Sequence, residues 1–154
     1  MSERAHPSDW SIRRAGPDDR DAVLALLRRA VGRDAADLRR WTWAFLENPS
    51  GADMHYVVAE AGDRLVGQWA GVPVRLQHRG ERILGLIGVD VATDPDFRGR
   101  GVITSLYRQV DEEFGADAGV VFGFPNRAAL PIVARVGSVE LRPYPLRVGR
   151  RMDG

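Results

Sequence analysis

The segment DPDFRGRGVIT, residues 94–104, has the spacing most suggestive of chemistry. Two glycines, Gly99 and Gly101, alternate with two arginines, Arg98 and Arg100, immediately before a helical pattern. Glycine tolerates positive φ and lets a ligand come close to the backbone. A helix N-terminus leaves N–H groups unpaired and carries partial positive charge. Together these make a cradle for an anion, most naturally a phosphate. The segment lacks the GK[ST] of a P-loop, and its glycine spacing is not that of the dinucleotide fingerprint. Taken alone, RGRG reads equally well as a basic turn.

Other residues offer less. Asp90 is the one acid in an apolar stretch, and an ionised carboxylate there is costly unless paired. His55 and His78 are single histidines in strand or turn contexts and read as surface or internally satisfied residues. Tyr107 falls on the apolar stripe of its helix and reads as core. Ser105 has no histidine partner by motif, so a serine nucleophile is unsupported. No His/Asp/Glu spacing points to a metal, and the absence of cysteine excludes a thiolate site or nucleophile.

The elements that must position the loop follow from periodicity. WSIRRA is a strand. GPDDRDAVLALLRRAVG is a helix with Val23, Leu24, Leu27, Ala30 and Val31 on one face. RDAADLRRWTWAFLEN is a second helix with Leu38, Trp41 and Phe45 aligned, closed by NPSG. Residues 55–93 break at AGDR and HRGE, which predicts three antiparallel strands. The third, from about Arg82 to Ala92, is apolar nearly throughout, as a central strand is. A helix over Gly101–Phe114, the strand GVVFGF, the helix NRAALPIVARVG, interrupted or started by Pro131, and one or two strands in SVELRPYPLRVGR complete the chain. The expected fold class is α/β with a mixed sheet: an antiparallel meander followed by a parallel strand–helix–strand crossover. Residues 1–8 read as a tail and 9–154 as a single domain.

Composition narrows the function classes. The 154 residues suit one domain, with 44% hydrophobic and 28% charged residues and a formal net charge of +1. All 22 basic residues are arginine, which reads as codon bias more than function. Charges of both signs are interspersed, so no nucleic-acid surface is expected. The N-terminus has no apolar core like that of a secretory signal, and the longest apolar run, ILGLIGV, is too short to span a bilayer. A cytoplasmic protein without membrane contact is expected.

The loop resembles motif A of the GNAT acyltransferase superfamily, Arg/Gln-x-x-Gly-x-Gly/Ala, through Arg98, Gly99, Arg100 and Gly101; Ile103 stands at the final small position. VATDP resembles the end of that family's fourth strand. WTWAFLENPSG and FGFPN resemble a subgroup with W-x-W…NP-x-G and GFPN segments. NRAALPIVARVG resembles the family's fourth helix through Asn126, Ala129 and Gly137. The resemblance spans about residues 9–148 and implies a GNAT fold with a splayed cleft for acetyl-CoA. It implies that amides of the loop, up to Val102 and Ile103, hold the pyrophosphate. Backbone groups of Val91 and Thr93 would pair with the pantetheine arm as an added strand, and Asn126 would assist.

The chain departs from the family at three points. Val133 occupies the position of the usual proton-donating tyrosine, and bulk at Ile103 implies a tighter or shifted turn. The strand positions that carry a base in some members, Ile87 and Val89, are apolar. Asp90 beside them is therefore either a general base turned inward by a bulge or a structural carboxylate bonded to an arginine or backbone N–H. Trp41 and Trp43, two apart, cannot share a helix face. Trp41 reads as core, whereas Trp43 is either core or a border of the acceptor pocket. Tyr144 is a second acceptor-pocket candidate. The implied activity is transfer of an acetyl group from acetyl-CoA to a primary amine of a small molecule. The alternative is a non-catalytic acyl-CoA-binding domain with a regulatory or assembly role. A homodimer through the C-terminal strands is a further expectation.

Overall fold

The computed structural model describes residues 9–141. Five strands, β1 (Ser11–Arg14), β2 (His55–Ala61), β3 (Arg64–His78), β4 (Glu81–Thr93) and β5 (Val120–Gly123), lie in sequence order across one sheet. The first four pair antiparallel, and β5 lies parallel to β4. This is the mixed sheet that the turn signals and the crossover predict. Four helices accompany it: α1 (Arg20–Ala30), α2 (Leu38–Phe45), α3 (Val102–Phe114) and α4 (Leu130–Arg135). No helix among the described residues is long and apolar enough to cross a membrane.

Alternation along the strands divides the core in two. Tyr56, Val58, Leu65 and Ala70 face α1 and α2, where they meet Leu26, Leu27, Trp41 and Phe45. Val57, Ala59, Val66, Trp69 and Leu86 face α3 and meet Val102, Leu106, Val110 and Phe114. Helix α3 docks closely because β3 carries Gly67 there: a Cβ at that position would lie 2.4 Å from Val102 Cγ1. The missing side chain thus fixes how near the N-terminus of α3 sits to the sheet.

Some boundaries differ from the periodicity. The expected second helix begins as a single 3-10 turn, Arg33–Ala35, and α2 starts only at Leu38. Asp37 sets that start by accepting hydrogen bonds from the Arg39 and Arg40 N–H groups. Leu38, in the first turn, is exposed instead of sharing the buried face of Trp41 and Phe45. Pro131 starts α4 and does not interrupt it, as a proline in the first turn can. Residues 138–141 form no strand; the remainder of SVELRPYPLRVGR, with Tyr144 and the expected dimer contact, lies outside the described residues, as does the 1–8 tail.

Candidate active site

β4 and β5 pair only from Gly85–Gly88 to Val120–Gly123. β4 then continues to Thr93 with β3 on one side and, among the described residues, no strand on the other. The polar groups along that open edge follow from alternation. The Asp94 N–H donates to the Val66 carbonyl at 2.9 Å, so Asp94 turns its backbone toward β3. Successive residues of an antiparallel strand alternate sides. Ala92 therefore turns to β3 as well, and Thr93 and Val91 turn their N–H and C=O groups to the open side.

The open edge leads into the glycine loop, which a buried carboxylate ties down. Asp94 is 1% exposed and accepts from Arg29 Nε at 3.0 Å and from the guanidinium of Arg64. It also caps the 3-10 turn Pro95–Phe97 through the Asp96 N–H, at 3.1 Å. Burial alone would raise the Asp94 pKa; the hydrogen bonds from Arg64, Asp96 N–H and Arg29 outweigh it and bring it to about 2. Beyond this anchor, Gly99 and Gly101 adopt φ of +76° and +80°, with Gly101 as the N-cap of α3. A Cβ at either would meet no atom within 4 Å, so backbone conformation and not space calls for glycine.

Helix α3 closes its first turn regularly, with the Ser105 N–H donating to Gly101 O at 3.1 Å and Ile103 half-buried within it. Thr93, opposite Gly67 in the ladder, buries an Oγ1 that has no hydrogen-bond partner among the described residues. The two arginines are engaged locally. Arg98 donates to the Ala30 carbonyl at the end of α1, at 3.0 Å, and the Arg100 guanidinium lies 4.9 Å from the centre of the Phe97 ring.

A bulge shapes the strand upstream. Gln68 pairs with Ala92 and Ala70 with Val89, so Asp90 and Val91 together oppose Trp69. Side-chain parity flips across it: Val89 faces α1 and α2, Val91 faces α3, and Ala92 returns to the first face. Asp90 takes φ of +52° and hands both carboxylate oxygens to Arg40 Nη2 on α2, at 2.9 and 2.8 Å. Gln68 Nε2 holds the Asp90 carbonyl at 3.1 Å. A bulge does turn Asp90 out of the regular alternation, and it turns it onto an arginine.

The other candidates separate. Asn126 spends its side-chain oxygen on the Ala128 and Ala129 N–H groups, at 3.1 and 2.9 Å, capping the turn before α4. Val133 lies on α4 with an aliphatic side chain. Trp41 is fully buried, whereas Trp43 is 53% exposed and lines a shallow depression with Asp37, Arg40 and Glu47. His55 is buried against the Phe114 ring with Nδ1 2.6 Å from the Asp53 carbonyl; burial lowers its pKa. No group of His, Asp and Glu among the described residues could hold a metal ion.

Of four further residues that shape the site, two carried a weak signal in the sequence and two carried none. Asp94 sits in an Asp-Pro pair, a cap signature. Gly67 interrupts an apolar strand, which marks close backbone approach. Arg40 and Trp69 had no local signal, because their partners lie far along the chain.

The family described as acetyltransferase (GNAT) domain matches residues 11–138. No curated protein matches the chain. Among solved structures, a transcriptional regulator from Bacillus halodurans C-125 superposes with a TM-score of 0.71 at 18% identity, over 92% of this chain and 99% of the other. A putative acetyltransferase from Agrobacterium tumefaciens str. C58 gives 0.66 at 23% identity, over 90% and 99%. The aminoglycoside N-acetyltransferase AAC(6')-Iy in complex with CoA gives 0.67 at 16% identity, over 95% and 98%. At these identities the likeness is one of fold.

Proposed function

The chain belongs to the GNAT acetyltransferase family, and from that premise we propose that it transfers an acetyl group from acetyl-CoA to a primary amine of a small-molecule acceptor. The observation that carries this reading is the parting of β4 from β5 after Gly88, which leaves an open strand edge running into the N-terminus of α3. The edge suits an extended arm that carries amide groups, and the unpaired helix amides suit the pyrophosphate. The unpartnered Thr93 Oγ1 and the free space above Gly99 and Gly101 fit the same group.

Within this reading Val91 and Thr93 hold the arm through their backbone. The amides of Gly99 to Ile103 receive the phosphates, with Arg98 and Arg100 contributing field from their local contacts. Asn126 keeps the turn beyond β5 in shape and presents its amide toward the arm. Acetyl-CoA, when bound, would supply the activated thioester; the protein supplies alignment of the amine with it. Asp90 has both oxygens on Arg40 and serves to hold the bulge. Trp43 offers an exposed aromatic face for the acceptor, a role the sequence shares out with Tyr144.

A second reading, an acyl-CoA-binding domain without transfer, draws on two observations: the aliphatic Val133 and the occupied carboxylate of Asp90. Thermal shift with CoA, acetyl-CoA and ATP tests the coenzyme part. Stabilisation by both CoA species and not by ATP is expected; no shift with either defeats both readings. Release of free thiol across a panel of primary amines then separates enzyme from binder.

A further inference from the structure

The fork where β4 leaves β5 carries a donor pair that the site has not yet used. Trp69 of β3 lays its indole across the fork. A Cβ built on Gly88, the last β4 residue paired to β5, would lie 3.4 Å from its Nε1. The indole nitrogen is buried and has no hydrogen-bond partner among the described residues. Tyr107 of α3 meets the Trp69 ring edge to face at 6.4 Å between centres and is only half-buried. Burial raises the Tyr107 pKa, and the facing indole N–H offsets part of that rise, although the two do not close a hydrogen bond. Indole N–H is a donor only. In this contact the phenol oxygen can only accept, so its own proton is left to point elsewhere.

Chain length places the reacting end of the coenzyme at the same fork. This step rests on the acyl-CoA reading above. A pantetheine arm has about thirteen bonds between phosphorus and sulfur, the reach of a little over four extended residues. Counted back along β4 from Thr93, at about 3.3 Å per residue, that reach ends near Val89 and Gly88.

We propose that Tyr107 is the proton donor to the departing thiolate, acting from α3 where Val133 on α4 cannot, with Trp69 as its positioning residue. The amine nitrogen forms the new bond to the acyl carbon as the carbon–sulfur bond breaks. Sulfur keeps the electron pair and takes the phenolic proton of Tyr107. The proton lost by the amine passes to water, and water returns one to the tyrosinate. A phenol whose pKa lies above its ordinary value stays protonated at neutral pH and so remains available as the acid.

The test needs no knowledge of the acceptor. Reduced CoA is bound to the wild type and to Tyr107→Phe, and the thiol is titrated through the ultraviolet absorbance of the thiolate, with affinity measured by calorimetry. A phenol that donates to sulfur favours the thiolate. The bound thiol should therefore titrate about one unit lower in the wild type than in the variant, with the two dissociation constants within about threefold. Identical titrations, or loss of CoA binding by a folded variant, would overturn the role of Tyr107. Failure of the wild type itself to bind CoA would instead remove the coenzyme reading, and this inference with it. If Tyr107→Phe melts too early to titrate, a ring-fluorinated tyrosine at 107 keeps the shape and acidifies the phenol. The bound thiol's titration must then shift, and an unmoved curve overturns the proposal equally.

Discussion

Arg40 on α2 holds both carboxylate oxygens of Asp90 on β4, 50 residues away, at 2.9 and 2.8 Å. Asp90 sits at φ of +52° in the bulge, a conformation that costs a non-glycine residue on the order of 1–2 kcal/mol. The ion pair offsets that cost and ties the α2 side of the sheet to the open edge of β4. The helix that borders the depression at Trp43 and the strand proposed to hold the coenzyme are thereby joined through one guanidinium.

Removing Arg40 should therefore do more than expose a charge. Arg40→Ala leaves the mostly buried Asp90 carboxylate unpaired and should cost about 1–2 kcal/mol, below the value for a fully buried pair because the arginine is 40% exposed. The double variant with Asp90→Asn should cost less than the two single changes added together. Urea denaturation of the four proteins checks the cycle, and simple additivity would mean that the pair does not hold the bulge.

Gly67→Ala tests the docking of α3. The added Cβ would lie 2.4 Å from Val102 Cγ1 and 3.2 Å from Leu106 Cδ1. Overpacking of this kind costs about 1–3 kcal/mol. Because Val102 opens the helix whose amides are proposed to receive the pyrophosphate, affinity for CoA should fall together with stability. Full affinity in a destabilised variant would separate the phosphate site from the start of α3.

Gly101→Val meets no neighbouring atom at its Cβ. The penalty comes from φ of +80°, about 1–2 kcal/mol, and from the side chain standing over the loop amides. A melting temperature lowered by a few degrees with CoA affinity reduced tenfold or more is expected from calorimetry and thermal denaturation. Wild-type affinity would place the phosphates elsewhere.

Asp94 makes stability fall in acid. Its folded pKa, about 2, lies below the ordinary value of 3.8, so its contribution is fully present above pH 4 and is lost as pH falls through the folded value. That contribution is on the order of 2 kcal/mol. Denaturant melts between pH 6 and 2.5 should show the gap between wild type and Asp94→Asn narrowing toward the acid end. His55 acts in the same direction at higher pH. Its lowered pKa means that protonation opposes folding, so stability contributed there is complete above pH 6.5 and declines below it.

How much of this the sequence disclosed depends on how far each partner lies along the chain. The glycine loop, the two hairpin turns and most of the helix stripes are local patterns, and they appear where the sequence puts them; Val31 and Leu38, expected on buried faces, are exposed. The bulge at Asp90 has no such trace. β4 reads ILGLIGVDVAT, apolar on both faces, so a flip of parity leaves the pattern unchanged. Arg29 and Arg64 reach Asp94 from 65 and 30 residues away, and no local period encodes either contact. Trp69 looks like any aromatic core residue until Gly71 and Gly88 are seen beneath its ring.

Amide hydrogen exchange at Val91, Ala92 and Thr93, with and without CoA, tests the coenzyme site most directly. The Val91 and Thr93 amides, on the open edge, should exchange readily in the free protein and slow tenfold or more when CoA binds as the neighbouring strand. The Ala92 amide, turned to β3, should be protected in both states. Binding of CoA that leaves Val91 and Thr93 exchanging as before would contradict the account.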